Sequence, residues 1–281
     1  MVNAKMLSKG TKKIYILNGA PGSGKDTQCR LLSKKYNFKI ITISELLKEH
    51  LKDSKERIRD SSSSDQCVKE LTEQEKRDLE YIQKSFTDGS FVPDDIVIGI
   101  FLKQLEKYTL GEEECEGIII NGFPRTYEQA LLFKKNNIEI TNFINMSVSK
   151  ECLLERVNNR IRDPITNVNY NIKIIELIKK KRKNIKLHTE EELLLTSQNE
   201  DYKNINDEIL MRLKRRADDN ESTFNKRYDL YLQNEKKIIS LFFHVCKNID
   251  GEKSIEGIFE QICAIIDQTI LHKRGNEGTK K

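Results

Sequence analysis

The chain has 281 residues, 37% of them apolar and 33% charged, with a net charge of +5. That length suffices for one large domain with insertions or for two small ones, and the mild cationic surplus, spread along the chain, suits anionic small molecules without indicating nucleic acid. No apolar run approaches a membrane span, and the six scattered cysteines (Cys29, Cys67, Cys115, Cys152, Cys246, Cys263) form no CxxC pair, which speaks against a zinc ribbon, a redox motif or a disulfide framework. Residues 1–13 are basic and free of acid but lack the apolar stretch of a signal peptide. The expectation is a cytoplasmic protein, with a nuclear or organellar address left open.

In chain order, a β-rich run at 13–17 ends in Asn18-Gly19, and helical periodicity begins near Asp26. Further strands are predicted at 38–42, 117–120, 142–148 and 244–249. Amphipathic helices are predicted at 44–51, 93–108, 127–135, 150–159, 218–233 and 254–270. Strands alternating with helices imply an α/β fold, a parallel sheet covered on both faces. Two stretches break the rhythm. Residues 52–88 are strongly polar and contain the serine tract 61–64, while 171–215 is rich in Lys, Glu and Asn and carries the basic run 179–183. Neither offers a strand for the central sheet, and both read as excursions from one core, where moving parts usually sit.

The strongest chemical signal is Gly19-Ala20-Pro21-Gly22-Ser23-Gly24-Lys25-Asp26-Thr27, between the first strand and the first helix. Glycines let the backbone curl so that successive N–H groups converge on phosphate oxygens, and the helix N-terminus adds roughly half a positive charge. Lys25 can reach the outer phosphates, and Thr27 supplies a hydroxyl for phosphate or Mg2+. A second cluster, Asn121-Gly122-Phe123-Pro124-Arg125 with Gln129 beyond it, follows the strand at 117–120, on the sheet edge where open α/β sheets bind ligands. Arg125 offers a planar fork for a phosphate, and the Gln129 amide has the paired donor and acceptor needed to read a base edge.

These segments resemble the adenylate kinase family, a group of P-loop NTPase folds. The loop is similar to GxPGxGKGTQ, with Gln28 completing the match, and Asn121–Arg125 to DGFPR. Asp88-Gly89-Ser90-Phe91-Val92-Pro93-Asp94-Asp95 is similar to GxLVPDE, residues 41–48 to ISTGDLLR, and Asp250-Gly251 to a closing IDG. Arg216-Ala217-Asp218-Asp219-Asn220-Glu221, followed by Arg227, resembles the family's Arg-x-Asp-Asp-Asn-Glu segment.

The resemblance implies three parts. Residues 1–48, 89–160 and 216–281 form the core kinase domain, 49–88 a flap for the monophosphate, and 161–215 an enlarged basic lid. It implies ATP binding by Gly22, Ser23, Gly24, Lys25, Asp26 and Thr27, with Arg156 and Arg160 flanking the phosphates. Asn169, Tyr170 and Lys253 would then lie near adenine, the first two placed to stack on it. Monophosphate binding is implied for Thr42, Ile43, Lys48, Ser90, Phe91 and Val92, and for Gly122, Arg125, Gln129, Arg216 and Arg227. Arg156 and Arg160, four apart, are expected on one face of a helix. Catalysis would fall to Lys25, Arg125, Arg160, Arg216 and Arg227, with Mg2+ accompanying ATP near Thr27 and, through water, Asp26. No histidine is assigned a catalytic role.

The implied function is reversible phosphoryl transfer from ATP to a nucleoside monophosphate, AMP foremost, by a monomer without membrane or nucleic-acid partners. A CMP/UMP-type acceptor, or a nucleotide-binding relative with weak or no turnover, is the alternative. Several positions depart from the pattern. Asp26 replaces a glycine, Asn121 an aspartate that the family places near hydrated Mg2+, Ile43 a threonine and Lys48 an arginine, and the lid lacks the FNPPK and DDxTGE segments. An Asp26 carboxylate facing a phosphate charge at about 6 Å would cost roughly 3 kcal/mol at an effective dielectric near 20. Pointing elsewhere in the first helical turn it would gain about 0.3–1 kcal/mol.

Overall fold

The computed structural model describes residues 12–60, 71–110, 115–198, 200–216 and 218–277. The serine tract 61–64, Cys67 and Ala217 lie outside the described residues. In β1 (Lys13–Gly19), Ile14 and Ile16 face one side of the sheet, and Tyr15 and Leu17 the other. That alternation is the period-2 pattern of a strand, and apolar residues on both faces mark a strand covered on both sides. Helix α1 (Lys25–Tyr36) leads to β2 (Phe38–Thr42), through Asn37 in a left-handed conformation that ends the helix.

Helix α2 (Ile43–Asp60) starts directly after β2 and runs nine residues past the predicted end at Leu51. Its second half, Lys52–Asp60, is so polar that no apolar stripe marks it in the sequence. Helix α3 (Glu73–Asp88) opens with a capping box: the Thr72 hydroxyl accepts from the Glu75 N–H, and the Glu75 carboxylate accepts from the Thr72 N–H. The region read as an excursion is therefore helical at 52–60 and again at 73–88. Then follow α4 (Asp94–Leu110), β3 (Gly117–Asn121), α5 (Tyr127–Lys135) and β4 (Asn142–Ser147). Beyond β4 lie α6 (Lys150–Asn158), β5 (Arg160–Arg162), β6 (Asn169–Asn171) and α7 (Ile172–Arg182). The chain finishes with α8 (Thr189–Thr196), α9 (Glu200–Lys203), α10 (Asp207–Arg212), α11 (Glu221–Leu241), β7 (Cys246–Asp250) and α12 (Ile255–Glu277).

Five strands form one all-parallel sheet in the order β2-β3-β1-β4-β7. The predicted strands thus all exist, the one at 38–42 with the expected bounds and the others with ends shifted by no more than two residues. The contacts divide the chain into two compact units: Met1–Val148 with Lys226–Lys281, and Ser149–Asn225. The second is wider than the insertion expected from the sequence.

In the first unit an apolar layer lies on each face of the sheet. One contains Ile14, Ile118, Ile120 and Phe143 with Phe101, Phe123, Phe133 and Phe242; the other contains Tyr15, Leu17, Ile144 and Met146 with Ile258, Ile262 and Ile266 of α12. Phe123 stacks on Phe101 with ring centroids 4.3 Å apart, which pins the loop after β3 to the core.

The second unit has a small centre of its own, made by Val168, Tyr170, Ile175 and Ile205 around the antiparallel pair β5–β6. Asp163, fully buried, receives Nε and Nη2 of Arg212, both at 2.8 Å, as well as the Thr166 hydroxyl and the Ile165 N–H. Those partners hold its carboxyl well below the usual carboxylate range, Arg212 foremost. Lys180 bonds Glu191 on α8, and Arg182 bonds Asp207 on α10. Two members of the basic run are therefore staples within this unit.

Candidate active site

The loop between β1 and α1 turns on glycines. Gly22 and Gly24 have φ of 87° and 96°, a left-handed backbone that side chains disfavour, and Gly24 caps α1. Ser23 is buried, its N–H bonded to the Ala20 carbonyl at 3.2 Å. Lys25 folds into this cradle and donates to the Gly19 and Ala20 carbonyls (2.7 and 2.9 Å) and to the Ser23 hydroxyl (3.1 Å). Burial pushes its ammonium down to about 8, Asp26 opposes that shift, and the positive charges of Arg125 and Arg227 add to it. Three predicted cations thus act on one point at the carboxyl end of β1.

Thr27 stands one residue beyond Asp26, partly exposed. Asp26 turns toward the neighbouring strand: Asn121 at the end of β3 donates its Nδ2 to Asp26 Oδ1 at 2.7 Å, and approaches the Thr42 hydroxyl at 3.4 Å. The two residues that depart from the family pattern here are therefore bonded to each other.

After β3, Gly122 takes a φ of 72°, and a Cβ there would stand 3.1 Å from Arg125 Nη2. Its carbonyl accepts from Arg125 Nε at 2.8 Å, which orients the guanidinium. Gln129 is buried; its Oε1 accepts from the Arg125 N–H at 2.7 Å, and its Nε2 donates to Asp94 Oδ1 at 2.7 Å. The other Asp94 oxygen accepts from the Thr126 hydroxyl at 2.9 Å, and that hydroxyl accepts from the Gln129 N–H at 3.1 Å, capping α5.

Among the other residues expected around the monophosphate, Ile43 lies in the hydrophobic core and offers no polar contact. Exposed Lys48 has its ammonium 5.7 Å from the centre of the Phe86 ring. Ser90 gives its N–H to Asp88 at 2.8 Å, Phe91 is partly buried, and Val92 belongs to the core. Lys226, beside Arg227 on α11, donates to the Asp88 carbonyl at 2.9 Å and so holds the end of α3. Lys253 is exposed in the turn before α12.

In the second unit, Arg156 lies on α6, but that helix ends at Asn158 and Arg160 opens β5. The expected common helical face for Arg156 and Arg160 is thus replaced by a helix-to-strand turn. Arg160 makes a two-pronged contact with buried Asp219, and Arg216 another with Asp218 at 2.9 and 2.7 Å. Tyr170, expected to stack on adenine, instead packs its ring edge-on against Tyr202 at 5.3 Å in the apolar centre of its unit. Asn169 is only partly buried, and its Oδ1 is buried without a hydrogen-bond partner.

Asp94, Thr126, Asp218 and Asp219, which carry no individual role in the sequence pattern, are the groups that orient Gln129 and two of the arginines. Carboxylates two and three residues after Arg216 were a readable signal for such pairing.

An all-parallel sheet with a glycine-rich phosphate cradle behind its central strand defines an α/β P-loop NTPase fold. A family model described as adenylate kinase matches residues 59–247, and one described as an AAA domain matches residues 18–80. Adenylate kinase 2 of Plasmodium falciparum is 54% identical over 239 residues, covering 85% of this chain and 82% of that protein. Adenylate kinase of Archaeoglobus fulgidus is 30% identical over 90% of this chain and 97% of its own length. The chloroplastic adenylate kinase of Zea mays is 27% identical over 92% and 93%. The chain belongs to the adenylate kinase family. It is a phosphotransferase of the nucleoside monophosphate kinase type.

Proposed function

We propose that this protein transfers the terminal phosphoryl group of ATP to AMP, giving two ADP. The observation that carries this reading is the Lys25 ammonium folded into the glycine cradle against the Gly19 and Ala20 carbonyls and the Ser23 hydroxyl, with the charges of Arg125 and Arg227 acting on it. Such a concentration of positive charge is relieved by polyphosphate, and charge on the equatorial oxygens is what phosphoryl transfer must neutralise. In this reading the loop N–H groups and Lys25 hold the triphosphate, and Arg125 and Arg227 receive the monophosphate. For Arg156, Arg160 and Arg216 the reading keeps the part that the family resemblance implies, neutralising phosphate charge. One P–O bond to ADP breaks as one to the acceptor forms, and no strong base is needed because the acceptor is already an oxyanion. Residues 49–88 and 161–215 serve as flap and lid that keep water from acting as acceptor.

The residues suit a magnesium ion held mainly by the nucleotide. Among the described residues no group of three His, Cys, Asp or Glu forms an all-protein metal site, whereas the Asp26 carboxylate stands beside the cradle, oriented by Asn121. Thr27 and Asp26 would hold the ion, Asp26 through water, and the ion would supply charge neutralisation between the phosphates.

The reading extends to a cytoplasmic monomer; the chloroplastic relative's name makes an organelle the alternative address. No described helix is long and apolar enough to cross a membrane. Nucleic acid is not a proposed partner, since Lys180 and Arg182 of the basic run hold Glu191 and Asp207.

A coupled assay with ATP and AMP, CMP, UMP or GMP tests the reading. Turnover of AMP, abolished by Lys25→Ala, supports it. Preference for another acceptor moves the assignment to that base, and tight ATP binding without turnover removes it.

A further inference from the structure

The amide of Gln129 has only one orientation open to it. Its Oε1 meets an N–H, that of Arg125, and its Nε2 meets a carboxylate oxygen, that of Asp94. Reversing the amide would set NH2 against N–H at one end and carbonyl against carboxylate at the other. Thr126 closes the arrangement: its oxygen accepts from the Gln129 N–H, so its own hydrogen goes to Asp94. After these bonds the amide retains one N–H and one oxygen lone pair.

That remainder has a fixed sense. It matches a base edge with an amino group beside an unprotonated ring nitrogen, as in adenine or cytosine. Hypoxanthine, guanine and uracil present the reverse, a ring N–H beside a carbonyl. We propose that Asp94 is a specificity-determining residue: together with the Arg125 N–H it fixes the sense of the Gln129 amide and so makes the acceptor site favour amino bases and reject keto bases. The inference rests on the reading of Gln129 as part of the monophosphate site. Asp94 acts through Gln129 and is a positioning residue.

AMP and IMP, which differ only at this edge of the purine, are the probes. The parent protein is expected to favour AMP over IMP by about a hundredfold or more in kcat/KM, since an edge built for one donor–acceptor pattern leaves the other unpaired. Gln129→Glu sets two carboxylates against each other and should lower Tm and AMP binding. Adding Asp94→Asn restores a donor–acceptor pair inside the network while leaving only acceptors for the base. The double variant should recover Tm and shift the AMP:IMP ratio toward IMP by about thirtyfold or more, mainly through KM and equally in calorimetric binding. Asp94→Asn alone should keep the parent preference, because its amide can turn its oxygen to Gln129.

A double variant that recovers Tm with the parent ratio unmoved means that the side chain at 129 does not meet the base, and overturns the proposal with its premise. If that pair fails to fold, Asp94→Ala carries the test: a tenfold drop in the ratio with kcat for AMP within about threefold supports the proposal, and an unmoved ratio overturns it. A parent protein that turns over no monophosphate removes the kinase reading itself, a result distinct from either.

Discussion

Asn121 gives its side-chain N–H to the Asp26 carboxylate across 2.7 Å, joining the end of β3 to the first turn of α1. The family pattern has an acid where this chain has Asn121 and a glycine where it has Asp26. A carboxylate has in effect crossed from one strand end to the neighbouring helix start, and the amide left behind holds it. The bond draws the charge sideways from the loop, which limits its repulsion of phosphate while leaving it beside the cradle.

The pair should behave as a unit in substitution. Asp26→Gly is expected to weaken Mg2+-nucleotide binding about tenfold while metal-free nucleotide binds no worse, because the acid repels bare phosphate. Asn121→Asp alone sets two carboxylates in contact and should lower Tm. The double change, Asp26→Gly with Asn121→Asp, should restore both values. Calorimetric titrations with and without EDTA, alongside thermal melts, read all three; independent, additive effects would sink the idea.

Binding should also move protons. The free Lys25 ammonium titrates near 8, and phosphate charges beside it favour the protonated form and raise that value. Nucleotide binding therefore takes up a proton at and somewhat above pH 8, and affinity falls as pH rises through that range. Calorimetry in buffers of different ionisation enthalpy should report the uptake, and Lys25→Met should abolish it.

Arg125 is oriented by the Gly122 carbonyl through Nε, a bond that a lysine cannot copy together with a planar fork. Arg125→Lys should raise KM for the monophosphate about tenfold or more and leave KM for ATP within about threefold. Steady-state kinetics with each substrate varied in turn check this, and equal effects on both KM values would contradict it.

In the second unit Arg212 alone gives Asp163 two charge-assisted hydrogen bonds. Arg212→Leu should leave a buried carboxylate without its cation and cut hydrogen-exchange protection in β5 and β6 by about tenfold or more, with β1 and β3 unchanged. Because the folded carboxyl titrates below its ordinary value of 3.8, the pair's contribution is complete above that pH. It drains only as pH falls further. A melt series of the parent at pH 7 and 5 should therefore show no loss through this pair, whereas in the variant burial pushes the carboxyl up and the difference from the parent should narrow toward pH 5.

Much of the sheet was legible because its strands are short apolar runs bounded by turns, as at 117–120. Helix α3 was not, because its start is written in the capping pair Thr72 and Glu75 rather than in an apolar stripe. The cradle was legible from glycines and Lys25, whose chemistry is local. Gln129 shows the limit: its residue type announces hydrogen bonding, but its partner Asp94 is 35 positions away, and only the fold shows which end of the amide it holds. Tyr170 shows the same limit, since nothing local tells a ring that stacks on a ligand from one that fills a core.

The apolar cluster around Val168 and Ile175, closed by the Asp163–Arg212 pair, gives the second unit a core of its own. A segment of that kind is an exchangeable cassette. Its length and surface can drift, even to a long lysine-rich form, while the catalytic scaffold stays under separate constraint, and transplanting it whole disturbs less than trimming any one of its helices.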